Sequence, residues 1–265
     1  MCKVTLEVQI TTVEVTKMLN EETRRKLREL NLSELIEAID NQSQDVNYTT
    51  LSFENRMKIV VDFVYQKKYN SKVQRLIKMS KFRITNASYH DICYIDGRVD
   101  RQALLEISTC QFIDTNSSVI FHGFTGSGKS YLACAIGKQA CMQGIITRYI
   151  RIPDLLMLRD EAVLTNQGVS KLLKKFSNYK LLILDEWLLD NLSDEEQHFI
   201  FELIERRHDS TSTIFCTQYK KEDWHSRLGG GVHADAIMDR IVHNVVWIYA
   251  GNLNMREHYS NHKVR

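Results

Sequence analysis

Gly123-Phe124-Thr125-Gly126-Ser127-Gly128-Lys129-Ser130 stands between an apolar run, Ser118 to Phe121, and a helix-forming run, Tyr131 to Ala140. Glycines and a Lys-Ser pair at this spacing, between a strand and a helix, predict a phosphate-binding turn. Gly123, Gly126 and Gly128 let the backbone turn tightly and approach a triphosphate, and successive N–H groups at the helix start donate to its oxygens. Lys129 is suited to neutralise the β and γ phosphates, and the Ser130 hydroxyl to ligate Mg²⁺. Phe124, Thr125, Ser127 and Tyr131 complete the stretch expected to wrap the nucleotide, ATP.

Downstream, Leu181-Leu182-Ile183-Leu184-Asp185-Glu186 reads as a buried strand ending in two adjacent carboxylates. Ligands of a parallel α/β sheet bind at the carboxyl ends of its strands, so these acids are expected beside the phosphates. Asp185 is then a Mg²⁺-shell ligand, and Glu186 the group that orients and polarises the attacking water. Thr213-Ile214-Phe215-Cys216-Thr217-Gln218 is a β-rich run whose polar end should lie next to them. Gln218 can bond the γ-phosphate or the water, or can simply be a satisfied strand-end amide.

Around these motifs short apolar runs alternate with helical stretches. Expected strands are Val119 to His122, Thr147 to Ile150, Leu181 to Leu184, Thr213 to Thr217 and Val245 to Tyr249; expected helices are Ser130 to Gln143, Pro153 to Ala162 and Asp194 to Arg207. The alternation predicts an α/β fold with a parallel sheet flanked by helices. Pro153, the one proline, suits a first helical turn.

The amino-terminal part has another character. Glu21 to Ile39 and Phe53 to Phe63 are close to amphipathic helices, and Lys67 to Arg83 carries seven basic residues and no acid. If residues 68 to 79 are helical, Lys68, Lys72, Arg75 and Lys78 share one face, suited to phosphate contacts with DNA or merely to solvation. Asn86, Asp91, Asp96 and Gly97 mark a connecting segment leading to a helix near Asp100 to Phe112. The expected division is a helical amino-terminal module, 1–84, for DNA or partner binding, and a P-loop core, 85–265.

Composition sets limits on the rest. In 265 residues, 43% hydrophobic, 35 basic side chains nearly balance 33 acidic ones, so any basic surface is local. The six cysteines show no C-x-x-C spacing and read as free thiols in a reducing compartment. Met1 to Ile10 lacks a signal-peptide core, and no apolar run reaches membrane-spanning length, so a cytoplasmic protein with no membrane partner is expected.

Taken with Glu222-Asp223-Trp224-His225, Ala234-Asp235-Ala236-Ile237-Met238-Asp239-Arg240-Ile241-Val242-His243-Asn244 and the lead-in Leu104 to Ile113, the motifs resemble those of the IstB-like ATPases. These are helper proteins of insertion-sequence transposition, similar in turn to DnaC-type helicase loaders, and the likeness runs from about Lys26 to Arg256. It implies an AAA+ core, ATP-dependent self-assembly on duplex DNA, a transposase partner directed to its target, and hydrolysis that drives disassembly. By the same resemblance Arg240 matches an arginine contributed across a subunit interface, and Arg256 a second sensor of bound nucleotide. Gln218 stands where helicase loaders carry Asn, which favours the transposition branch, and Gly229-Gly230-Gly231-Val232-His233 departs from the family's Gly-Asp-Pro. The rival readings are a replicative helicase loader, a P-loop small-molecule kinase, and an adaptor that holds ATP as a structural ligand.

Overall fold

A computed structural model describes residues 19–94, 99–255 and 257. The chain divides into two compact units, Met1–Lys72 and Val73–Arg265.

In the first unit, α1 (Glu21–Glu29) starts at Asn20, whose side chain accepts from the Thr23 N–H at 2.8 Å. The single helix expected over 21 to 39 is two, because the chain turns at Asn31 in the left-handed region (φ 56°) before α2 (Ser33–Gln44). Asn is among the few side chains that tolerate that conformation. Arg24 is buried and forks onto Asp40, and Gln42 donates to the Arg56 carbonyl at 2.8 Å. After a 3-10 turn at Val46–Thr50, α3 (Phe53–Ser80) continues well beyond the expected Phe63. Lys67 pairs with Glu37, and Lys68 donates to the Asn31 carbonyl at 3.1 Å.

The division falls within α3, earlier than the expected boundary near residue 84. Residues 73 to 84 belong with the core because Leu76 and Phe82 are buried in it. A Cβ on Gly137 would lie 2.6 Å from the Phe82 ring, so that glycine makes room for it.

The second unit holds α4 (Arg101–Ser108), α5 (Gln111–Asp114), β1 (Ser118–His122), α6 (Lys129–Met142), β2 (Thr147–Arg151), α7 (Ile152–Val163), α8 (Gly168–Ser177), β3 (Leu181–Asp185), α9 (Asp194–Arg207), β4 (Ser212–Thr217), α10 (Lys221–Arg227), α11 (Gly231–Val242) and β5 (Val245–Tyr249). The strands form one parallel sheet in the order β2-β3-β4-β1-β5. Alternate strand residues serve two cores. Val119, Phe121, Leu181, Ile183, Ile214 and Cys216 pack with α4 and α6, while Ile120, Leu182, Leu184 and Phe215 pack with α7, α9 and α11. Burial on both faces is why these strands read as continuous apolar runs. Each fully buried aliphatic side chain contributes about 1.5–3 kcal/mol before conformational entropy is charged against it.

Polar residues set the ends of these elements. Ser193 and Glu196 form a reciprocal cap that starts α9. Arg207 at its far end is 2% exposed and donates to the carbonyls of Phe176, Tyr179 and Ser212 and to the Thr213 hydroxyl. Burial lowers its pKa to about 9, and the carbonyl acceptors rather than a carboxylate keep this cation in place.

Candidate nucleotide site

β1 lies between β4 and β5, so the turn after it faces the carboxyl ends of its neighbours. His122 ends β1, and α6 begins at Lys129 after a cap at Gly128 with φ 94°, a conformation that costs an L side chain energy. Gly126 has a second constraint besides its φ of 85°: a Cβ there would meet Asn254 Oδ1 at 2.3 Å. The Met255 N–H donates to the Gly126 carbonyl at 2.9 Å, so the segment after β5 closes over the loop.

The loop, β3 and β4 share a cleft of about 160 Å³ lined by Thr125, Lys129, Ser130, Asp185, Glu186 and Gln218, among others. Lys129 Nζ donates to the carbonyls of Gly123 and Phe124, both at 2.8 Å. Thr125 donates its hydroxyl to Gln218 Oε1 at 2.8 Å, which joins the loop to the end of β4. Helix α6 adds first-turn N–H groups that have no acceptor within the helix. Cationic and N–H donors on one side and a 2%-exposed carboxylate, Asp185, on the other form the donor set of a triphosphate with a divalent cation.

Three side chains that the motif reading did not single out set the acids. Tyr149, two residues before the end of β2, donates its phenol to Asp185 Oδ2 at 2.5 Å; burial, then the Asp185 charge, pushes its pKa far up, so it stays a donor. Asp185 Oδ1 accepts the Glu186 N–H at 2.9 Å. Glu186 takes the left-handed conformation (φ 58°), and its carboxylate is gripped by Arg83 at 2.9 Å and Arg151 at 3.6 Å. The turn beyond is held by Arg227, which donates to the Leu188 and Leu189 carbonyls and lies 3.9 Å over the Tyr219 ring. Period-2 spacing on β2 places Tyr149 and Arg151 on one face, a signal that becomes legible once β2 is known to lie beside β3.

A second cavity, about 210 Å³, opens beside the loop between Ile84, Ile92, Cys93, Tyr131 and Met255. Apolar walls next to a phosphate site suit a nucleobase. Residues 84 to 94, read from sequence as a mere connection, form one wall because the Lys138 ammonium donates to the Thr85 and Ala87 carbonyls at 2.7 and 2.8 Å. Tyr131, expected in the nucleotide site, fixes the same segment through Ser88.

Other expected residues lie elsewhere. Arg240 is not in its own chain's cleft: α11 sets it at the opposite end of the sheet, among Asn116, Ser118, Thr211 and Asn244, where it pairs with Glu205. The reason is register, since those neighbours stand where β1, β4 and β5 begin. Lys68, Lys72, Arg75 and Lys78 are exposed on α3, the first two in one unit and the last two in the other. Arg256 lies outside the described residues, as do Cys2, Asp96 and Gly97. Trp224 is buried against Trp187 and Phe215. The three glycines 229 to 231 all have positive φ and lead into α11, with Gln197 donating to the Leu228 and Gly230 carbonyls. Cys110, Cys134, Cys141 and Cys216 are free and buried, and burial raises Cys110 to about 12 and Cys134 to about 11, so these two thiols stay protonated. Among the described residues no helix is long and apolar enough to cross a membrane.

A P-loop on an inner strand of this sheet order, with an Asp-Glu pair on the strand two places away, defines a nucleotide-binding protein of the AAA+ class. The chain belongs to the IstB-like ATP binding protein family, which it matches over residues 25–262. It is 30% identical over 229 residues to an insertion sequence ATP-binding protein of Sinorhizobium fredii, covering 86% of this chain and 92% of that one. It is also 30% identical to the ATP-binding protein of insertion sequence IS1162 from Pseudomonas fluorescens, over 76% and 87% of the two chains. Among solved structures, a DnaC helicase loader superposes with a TM-score of 0.53 at 24% identity, covering 62% of this chain and 97% of that one.

Proposed function

We propose that this protein is an ATP-hydrolysing helper of transposition, which assembles on duplex DNA, engages a transposase and directs it to a target, in the cytoplasm. The observation that carries the reading is the meeting of Lys129, Ser130, Asp185, Glu186 and Gln218 in one cleft, with Arg240 at the far end of the sheet. An arginine so placed reaches a γ-phosphate only in a neighbouring subunit, which ties hydrolysis to assembly.

Lys129 and the α6 N–H groups bind the β and γ phosphates. Ser130 and Asp185 would hold Mg²⁺, which supplies charge neutralisation at those phosphates when bound. Glu186 accepts the proton of the attacking water, and Gln218, oriented by Thr125, positions that water. Arg240 of a neighbour stabilises the departing charge, and Arg256 senses the bound nucleotide. Lys68, Lys72, Arg75 and Lys78 on α3 contact DNA phosphates. Hydrolysis then releases the assembly.

Light scattering with ADP, and with a non-hydrolysable ATP analogue, each with and without duplex DNA, tests this. Large assemblies are expected only with the analogue and duplex together; a monomer under all four conditions sinks the assembly mechanism. If only single-stranded DNA supports assembly, and a hexameric helicase joins it, the helicase-loader reading replaces this one.

Tyr149→Phe probes the support of Asp185. Losing a donor to a charged group costs about 1.5–3 kcal/mol, so hydrolysis is expected to fall roughly 10-fold or more and the Mg²⁺ demand to rise. Steady-state phosphate release across a Mg²⁺ titration reads both, and an unchanged Mg²⁺ midpoint contradicts the assignment.

A further inference from the structure

Phe201 and Glu205 stand one turn apart on α9, and Ala236 and Arg240 one turn apart on α11, where these two helices pack together. The helices are fastened by Ile200, Leu203, Ile204, Ala234, Ile237 and Ile241, all buried. Glu205 and Arg240 pair at the rim of that core, their side chains 46% and 25% exposed. A pair so open to solvent adds little to stability. Its consequence is orientation.

A guanidinium is a planar fork whose Nε, Nη1 and Nη2 all donate. Glu205 accepts from Nε alone, and the Ala236 carbonyl accepts one N–H of Nη1 at 3.0 Å. The Phe201 ring covers the plane, 5.2 Å from Cζ to its centre. Nη2 and the second N–H of Nη1 have no acceptor among the described residues. These contacts fix the stem side, one edge and one face of the guanidinium and leave its outer edge open. A carboxylate that masked the fork would engage Nη2 as well, and Glu205 does not. A donor fixed before its charge partner arrives costs no reorganisation when it acts.

We infer that Glu205, with Phe201 beside it, is a positioning residue for hydrolysis in the neighbouring subunit: it holds Arg240 by Nε so that the free N–H groups of Nη1 and Nη2 face the γ-phosphate of the next protomer. The inference rests on the proposed intersubunit role of Arg240. Glu205 does not line its own chain's nucleotide cleft, so its effect passes through Arg240 and falls on another subunit's ATP.

The test mixes full-length subunits on duplex DNA with ATP and measures phosphate release beyond the sum of the separate proteins. Glu186→Gln subunits keep Arg240 and lack the carboxylate of their own site; Arg240→Ala subunits keep that site and lack the arginine. In the mixture the first donate the arginine to the second, and hydrolysis is expected to return. Adding Glu205→Ala to the Glu186→Gln donor is expected to lower the restored rate roughly 10-fold. Adding it instead to the Arg240→Ala acceptor should leave the restored rate unchanged. Glu205→Gln in the donor keeps an acceptor for Nε and should retain most of the rate. An equal loss in donor and acceptor makes Glu205 a support of the fold and overturns the inference. A Glu205→Ala donor that restores the full rate overturns it too, and one that restores a higher rate marks the carboxylate as a mask. No restoration by the parent pair overturns the intersubunit role of Arg240 and this inference with it, whereas restoration indifferent to Glu205 overturns the inference alone.

Discussion

Replacing Lys129 by alanine is expected to lower ATP affinity by roughly 100-fold or more, about 3 kcal/mol at the least. The ammonium now rests on the Gly123 and Phe124 carbonyls at 2.8 Å, an arrangement that keeps it over the loop. Triphosphate oxygens replace those neutral acceptors with charged ones, and each such bond is about twice as strong. Alanine removes the charge and leaves the α6 N–H groups alone to meet several negative charges. The fold should survive, because Lys129 is only part-buried and its removal leaves the caps and both cores intact. Titration with a fluorescent ATP analogue checks the affinity, and a thermal melt checks the fold. Since assembly is proposed to need bound ATP, the large species in light scattering should vanish as well. Undiminished affinity in a folded variant would remove the loop from nucleotide binding and return the apolar cavity at Tyr131 to an unassigned pocket.

The central sheet was legible because its signal is local and redundant. Leu181 to Leu184 is apolar at every position, which only burial on both faces explains, and Gly123 to Ser130 fixes the turn that joins β1 to α6. Helix ends were legible where a cap announces them, as at Asp100, Pro153 and Ser193. The turn at Asn31 was not, because Leu27, Leu30 and Ile36 keep a helical stripe through it. The continuity of α3 from Phe53 to Ser80 was missed for the opposite reason, since Lys67 to Lys78 reads first as charge, and a helix over 68 to 79 was only a condition.

The site was legible as motifs and opaque as contacts. Lys129, Asp185 and Gln218 announce themselves by spacing within one segment. Arg83, Tyr149 and Arg151 reach the acids only through the adjacency of β2 to β3 and the packing of Phe82 on α6, which no short pattern encodes. The wall from Ile84 to Cys93 depends on Lys138 and Tyr131 reaching back across the chain to its carbonyls. Arg240 shows the limit from the other side. By the family resemblance it matches an arginine contributed across a subunit interface, and its own chain holds it against Glu205, so the proposed role needs a second copy.

Glu186→Gln is expected to lower the rate of hydrolysis by about 10²–10⁴-fold, the span of general-base catalysis, while leaving ATP affinity close to wild type. The two effects should separate because the affinity is proposed to come from Lys129, Ser130 and the helix start, rather than from Glu186. Glutamine keeps the shape and can still accept from Arg83 at 2.9 Å, so the left-handed turn should persist. What it loses is the capacity to take a proton from water. ATP-bound assemblies on duplex DNA should therefore form and then fail to disperse, and light scattering followed over time with ordinary ATP reads that persistence. Single-turnover phosphate release separates slow chemistry from slow product loss. Normal turnover would take this carboxylate out of the mechanism. Slow turnover with prompt dispersal would keep the chemistry and sever it from disassembly.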